Sequence, residues 1–256
     1  MDARTIFALL VTLAFWSSAF AGIRAGLQGY LPGHLALLRF LVASLVLAGY
    51  ALATRMRLPA KRDLPAIVIA GFLGFTVYHV ALNYGEVNVT AGAASLLINS
   101  EPVFTALLAV AFLRERLSHL GWVGVAVSFA GIVLIALGEG GGLQLDPAVF
   151  LVLLAAISAS AYFVYQKPYL TRYSALQFTC YTLWAGTLFM LVFLPGFPEA
   201  VQAAPLDATL AGIYLGIFPA ALGYVAWTYV MSRLPATNAA SYLNLIPVLS
   251  IMIAWA

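Results

Sequence analysis

The sequence predicts an all-α integral membrane protein made of two inverted five-helix repeats, a ten-helix fold whose last helix is absent from this chain. Three observations predict it. Charged residues make up 8% of the 256 residues and hydrophobic ones 64%, whereas a soluble domain carries about 25% charged residues and needs them to keep its surface wet. The apolar residues fall into blocks of about 18–22, the length that crosses roughly 30 Å of hydrocarbon at a rise of ~1.5 Å per residue. Shifting the chain by 145 residues also lays one block of spans over another in register.

Nine spans follow from the blocks, at about 5–23, 34–53, 64–84, 90–112, 119–138, 147–166, 175–194, 207–230 and 235–256. The first combines Arg4, an apolar run and Ala19-Phe20-Ala21, which resembles a cleavable secretory signal. Its length, Trp16, the paired serines and its place in the repeat favour a retained helix. With the N-terminus cytoplasmic, Arg4, Arg55, Arg57, Lys61, Arg62, Arg114, Arg116, Lys167, Arg172 and Arg233 fall inside, ten of the twelve basic residues. Arg24 lies outside and Arg39 within the second span, while Glu86, Glu139, Asp146 and Glu199 occupy the outer loops. This asymmetry is the positive-inside bias, so the net charge of +3 reflects topology rather than a nucleic-acid partner. The expected location is the inner membrane, multi-pass, with lipids around it.

The repeat orders the remaining elements. GFLGFTVYHVALNY (71–84) in span three aligns without a gap on GIFPAALGYVAWTY (216–229) in span eight. The same offset carries Asn99 onto Asn244 and Pro102-Val103 onto Pro247-Val248 in spans four and nine. Five spans precede the joint, an odd number, so the second half enters the membrane from the opposite side. Span five, with Gly121, Gly124, Ser128 and Gly131 for close helix contact, should recur at about 264–283, beyond the last residue. The expected units are residues 1–138, a linker at 139–146 that holds Gly140-Gly141-Gly142, and residues 147–256, with four of five helices present. Cys180, alone in span seven, supports neither a disulfide nor a redox role. Inverted repeats of this kind characterise secondary transporters, whose halves rock about a central site.

The motifs resemble those of the EamA-type drug/metabolite transporters over essentially the whole chain. LLVTLAFWSSAFAGIRAG (9–26) is similar to that family's opening helix, with Ser17 in place of its usual glycine. Arg39-Phe40, the stretch TAGAASLLINSEPVFTALLAVAFLRERLSHLGWVGVAVSFAGIVLIALG (90–138), ASAYFVYQK (159–167) and the Pro247 segment also match. The resemblance implies two fused five-helix domains and transport of small metabolites, often export of amino acids or related compounds.

Candidate site residues follow from polarity at depth. Glu101 sits about eleven residues into its span, where a charge costs at least ~3 kcal/mol unless neutralised, paired or wet. It is a candidate for proton coupling or for a cationic group of the substrate, with a buried carboxyl that is protonated or paired with Arg39 as the structural alternative. Pro102 and Pro247 each remove a backbone donor and are expected to act as matching hinges. Asn99 and Asn244 are symmetry mates near mid-membrane, but Asn99 points about 200° away from Glu101 on an unbroken helix. Thr76, His79 and Asn83 form one polar stripe, facing Ala221, Tyr224 and Thr228 across an expected cavity between spans three and eight. Trp16, Ser17, Tyr162, Trp227 and Tyr242 offer aromatic or hydroxyl walls deep in their spans. Tyr84, Tyr229 and Trp122 read as interface anchors.

No phosphate-cradling glycine loop, zinc-protease motif or nucleophile elbow occurs, so enzyme chemistry, cofactors and metals are not expected. The sequence therefore predicts alternating access around a cavity bounded by spans one, three, four, six, eight and nine. The partner is a small-molecule substrate and the state a monomer or homodimer. A sensor or assembly protein and an integral-membrane enzyme are the competing classes.

Overall fold

The computed structural model describes residues 1–89, 91–139 and 147–255. Among them every regular element is helical. We number the helices α1 (Ala3–Gly26), α2 (Pro32–Ala53), α3 (Lys61–Gly85) and α4 (Ala93–Leu113). They continue with α5 (His119–Glu139), α6 (Pro147–Thr171), α7 (Ala175–Phe193) and α8 (Leu206–Arg233). The last, α9, consists of Ala236–Ser241, a tight turn at Tyr242–Leu245 and Ile246–Trp255. A short surface helix, Phe197–Ala203, precedes α8.

Seven of these helices, α1 to α4 and α6 to α8, are long and apolar enough to cross a membrane, which makes the chain a multi-pass membrane protein. Among the described residues seven of the nine expected spans are these helices, α5 follows the fifth as a helix of 21 residues, and α9 is interrupted. The glycine joint and the rest of the linker at 140–146, and Thr90 at the start of span four, lie outside the described residues.

Two kinds of irregularity recur at the 145-residue offset. The middles of α3 and α8 widen into π-helical turns at Phe72–Val77 and Gly216–Gly223. Pro219, which has no N–H to donate, sits inside the second of these turns. Glycines stand at the same place in both. A Cβ on Gly71 would lie 2.4 Å from the Thr182 carbonyl of α7, and one on Gly216 would lie 2.6 Å from the Arg39 carbonyl of α2. Backbone meets backbone there, and only glycine leaves the room.

The second irregularity interrupts α4 and α9. Helix α4 stops at Ile98, turns at Asn99–Ser100 and restarts at Glu101 with Pro102 in its first turn. The tight turn of α9 ends at Leu245, and its last segment starts at Ile246 with Pro247 next. The prolines therefore begin new helical segments instead of kinking continuous ones. At such a start the missing donor costs nothing, because that N–H has no partner within the helix.

Packing crosses between the halves. Helix α1 packs on α8 and α9, and α6 packs on α3 and α4. Helix α2 lies against the π turn of α8, while α7 lies against the π turn of α3. The core between them holds Trp227, Tyr162, Tyr224, Phe40, Phe75 and Phe163, all essentially inaccessible. Large apolar side chains such as Phe7, Leu45, Leu52, Phe112 and Val127 face outward, as a lipid solvent requires.

Candidate functional site

The interruptions and π turns surround one small cavity of about 30 Å³. Trp16 and Phe20 of α1, Arg39 of α2, Tyr78 and His79 of α3 and Glu101 of α4 line it, with Tyr224 of α8 and Ile246 of α9 closing the ring. That volume holds roughly one or two waters. A metabolite enters only if the helices part.

The lining is unusually polar for a membrane interior. Arg39 is 2% exposed, Glu101 4% and His79 1%. Arg39 Nε and Nη1, Glu101 Oε1 and His79 Nδ1 have no hydrogen-bond partner. Burying such groups unsatisfied costs several kcal/mol for a charge and ~1–3 kcal/mol for a neutral donor or acceptor. The ion pairs among the described residues both involve Asp63, with Arg172 at 2.8 Å and Arg62 at 4.0 Å. Arg39 and Glu101 thus share a cavity without pairing, which removes the ion pair from the structural alternative for Glu101 and leaves a neutral buried carboxyl. The guanidinium instead stands 5.5 Å from the centre of the Phe40 ring.

His79 Nε2 lies 3.0 Å from the Tyr224 hydroxyl, which also donates to the Gly74 carbonyl at 3.4 Å. Aromatic rings support this pair. Trp16 lies 5.1 Å from Tyr224 and 5.5 Å from Trp227, and Phe75 lies 4.7 Å from Tyr224. The Trp16 indole N–H donates to the Pro219 carbonyl at 3.2 Å, so the π turn of α8 fixes the orientation of one cavity wall.

Of the sequence-predicted residues, the structure brings Trp16, His79, Glu101 and Tyr224 to the cavity. The others lie around it or elsewhere. Ser17 donates to the Ile246 carbonyl at 3.4 Å, just behind the wall. Tyr162 and Trp227 are buried in the aromatic core. Thr76 donates to the Gly186 carbonyl at 2.9 Å and Asn83 to the Pro32 carbonyl at 3.1 Å, while Thr228 accepts from Thr179. The expected stripe of α3 thus divides between neighbouring helices, because the π turn changes the register of its faces. Asn99 is half-buried at the break, and Asn244 is exposed in a lateral groove beside Pro102 and Ser128. The α4 break separates Asn99 from Glu101, and only Glu101 reaches the cavity. Helix α2 replaces the expected α6 in the wall, since α6 is wedged against α3 and α4.

Two polar residues of the cavity wall, Arg39 and Tyr78, and one buried acid outside it, Glu86, are not among the candidates the sequence supplies. Arg39 enters the sequence reading as a partner for Glu101 and within the Arg39-Phe40 match, although an arginine inside an apolar span is itself a functional signal. Tyr78, next to His79 in the sequence, carries no signal of its own that separates it from the other aromatic residues of the spans. Glu86 was assigned to an outer loop, yet it is fully buried and neither carboxylate oxygen has a partner. Burial pushes its carboxyl well above the usual carboxylate range, against the opposite pull of Arg39 and Arg24. Among the described residues no group of three or more His, Cys, Asp or Glu is placed to hold a metal ion.

Residues 3–137 and again 146–256 match the EamA-like transporter family. The chain belongs to that family. An "Uncharacterized transporter YdfC" of Bacillus subtilis (strain 168) is 45% identical over 95% of this chain and 79% of the relative. A "Probable terminal-alkyne amino-acid exporter" of Streptantibioticus cattleyicolor is 41% identical over 98% of this chain and 84% of the relative. An "Uncharacterized inner membrane transporter YedA" of Escherichia coli (strain K12) is 27% identical over 96% and 80%. A crystal structure 19% identical to this EamA-family chain aligns over 99% of it and 88% of the other chain with a TM-score of 0.71, a likeness of fold.

Proposed function

We propose that this EamA-family protein is a secondary transporter or facilitator that exports a small amino-acid-like metabolite across the inner membrane by alternating access. The observation that carries the reading is the central cavity, where Arg39, His79 and Glu101 keep unpartnered polar atoms in the middle of an apolar bundle. Groups so costly to bury are retained where a ligand completes them. The cavity also lies where helices of both matched stretches meet, with α1 to α4 on one side and α8 and α9 on the other. Inverted five-helix repeats rocking about that point would open it to each face in turn. The names of the Streptantibioticus and Escherichia coli relatives support an amino-acid cargo and an inner-membrane location. The positive-inside charge distribution supports a cytoplasmic N-terminus.

Proteoliposomes test the reading. Vesicles preloaded with unlabelled L-leucine or L-alanine, among a panel of amines and carboxylic acids, are expected to draw in the matching tritiated solute faster than protein-free vesicles. No counterflow for any solute, with the protein shown to be folded, overturns transport. Glu101→Gln separates coupling from facilitation: residual counterflow that no longer responds to a pH gradient supports proton coupling through Glu101, and a residual counterflow with an unchanged response removes it.

A further inference from the structure

We infer that the cavity reads a zwitterion, with the carboxylate of an α-amino acid on the Arg39 guanidinium and its ammonium on Glu101. The inference rests on the transport reading and assigns the chemistry of its substrate. Both side chains line the same 30 Å³ void without forming an ion pair, so neither is committed to the other and each can take a partner group from a ligand. Arg39 leaves Nε and Nη1 unused, and a guanidinium matches a carboxylate as a planar fork. Glu101 Oε1 is an unused acceptor, suited to an ammonium group. Trp16, Tyr78 and Tyr224 give the remaining wall an aromatic face for the substrate's side chain.

A substrate with one charge satisfies one of these residues and leaves the other buried and unpaired. A zwitterion satisfies both, and the occupied site gains no net charge. Rejection of analogues that leave a buried charge unmatched is the strong form of selectivity, on the order of 100-fold or more.

The test is counterflow of tritiated L-leucine competed by unlabelled L-leucine, L-leucine methyl ester and N-acetyl-L-leucine. The ester lacks the carboxylate and the acetyl form lacks the ammonium. Each analogue is expected to compete at least about 100-fold less well than leucine. Arg39→Gln should narrow that gap for the ester alone, and Glu101→Gln for the acetyl form alone. Equal competition by all three, or the same loss for every solute in both folded variants, overturns the assignment. Exchange of amines or acids without exchange of leucine also overturns it while leaving transport intact.

A different observation carries a second inference. We infer that Arg24 and Lys167 are paired latches of two gates on opposite faces. Arg24 Nη1 at the end of α1 donates to the Glu86 and Val89 carbonyls at 2.8 and 3.5 Å. Lys167 Nζ, in the last turns of α6, donates to the Met231 carbonyl at 2.7 Å and to that of Leu234. The 145-residue offset carries Glu86 onto Met231 and Val89 onto Leu234. Helix α1 packs with α8 and α9, whereas α6 packs with α3 and α4, so each latch ties one packed group to the other at one face. Glu115 adds a clip on the Lys167 side, accepting from the Ala236 and Thr237 amides at 2.8 and 3.0 Å.

Spin labels in a Cys180→Ser background test it, one pair at Gln28 and Asn88 and another at Thr171 and Ser232. Arg24→Gln is expected to lengthen the first distance and spare the second, and Lys167→Gln to do the reverse. Arg24→Lys should restore the first. No change in either pair, or equal lengthening of both by either variant, overturns the latch assignment.

Discussion

His79 and Tyr224, 145 residues apart and therefore mates in the sequence repeat, meet across the centre of the protein at 3.0 Å. Each follows a π turn, at Phe72–Val77 and Gly216–Gly223, that shifts the register of the helix faces beyond it. Tyr224→Phe strips His79 Nε2 of its partner and leaves a buried imidazole with neither nitrogen bonded, since Nδ1 already has none. The expected cost is about 1–3 kcal/mol, read as a lower Tm in detergent. The double variant with His79→Leu should recover roughly 1 kcal/mol of that loss.

Two serines hold the restart points of the broken helices. Ser160 donates to the Glu101 carbonyl at 2.9 Å and Ser17 to that of Ile246 at 3.4 Å, and Glu101 and Ile246 are again 145 residues apart. Ser160→Ala should lower stability by about 1 kcal/mol. Because it loosens the backbone that carries Glu101, leucine exchange should fall by more than the folded fraction does. Tm and counterflow, measured on the same preparation, check this.

Glycine positions sort by what a methyl group would meet. Gly71→Ala drives a Cβ to 2.4 Å from the Thr182 carbonyl and 2.8 Å from the Gly186 amide nitrogen. Separating α3 from α7 should cost about 1–3 kcal/mol. Gly124→Ala in α5 meets nothing within 4 Å, and the gain in helix propensity should stabilise by about 0.5–1 kcal/mol. Opposite shifts in Tm are the expected result.

Glu86 gives a pH dependence with a defined sign. Its folded carboxyl binds a proton more tightly than in the unfolded chain, chiefly through burial. The stabilisation is present below the unfolded value and is lost as pH rises through the raised folded one. Glu86→Gln should flatten this part of the stability profile, removing the decline on the alkaline side of the carboxylate range. Thermal melts across a pH series check it.

The membrane class and the spans that α1 to α8 follow among the described residues were legible because span length and apolar composition are properties of the chain alone. So was the offset of 145, since Tyr, Asn and Pro kept in register are improbable in an apolar background. Glu101 and His79 announced themselves as polar residues at depth. What stayed hidden depended on local geometry. The π turns at Phe72 and Gly216 break the 3.6-residue periodicity, so the stripe Thr76, His79 and Asn83 could not be assigned to one face in advance. Arg39 is visible as an arginine within a span, but the sequence alone does not say that its guanidinium reaches the cavity without a counter-charge. Glu86, one residue beyond the end of α3, gave no sign that its side chain turns inward.

The most direct measurement is the accessibility of a single thiol in the cavity wall. Ala19 lines the cavity and is 8% exposed, so Ala19→Cys in the Cys180→Ser background adds little volume. A membrane-impermeant thiol reagent is applied separately to right-side-out and inside-out vesicles, with and without L-leucine. Alternating access predicts labelling from both sides, slowed by leucine on each. Labelling from one side only, or from neither under conditions of active exchange, would contradict it.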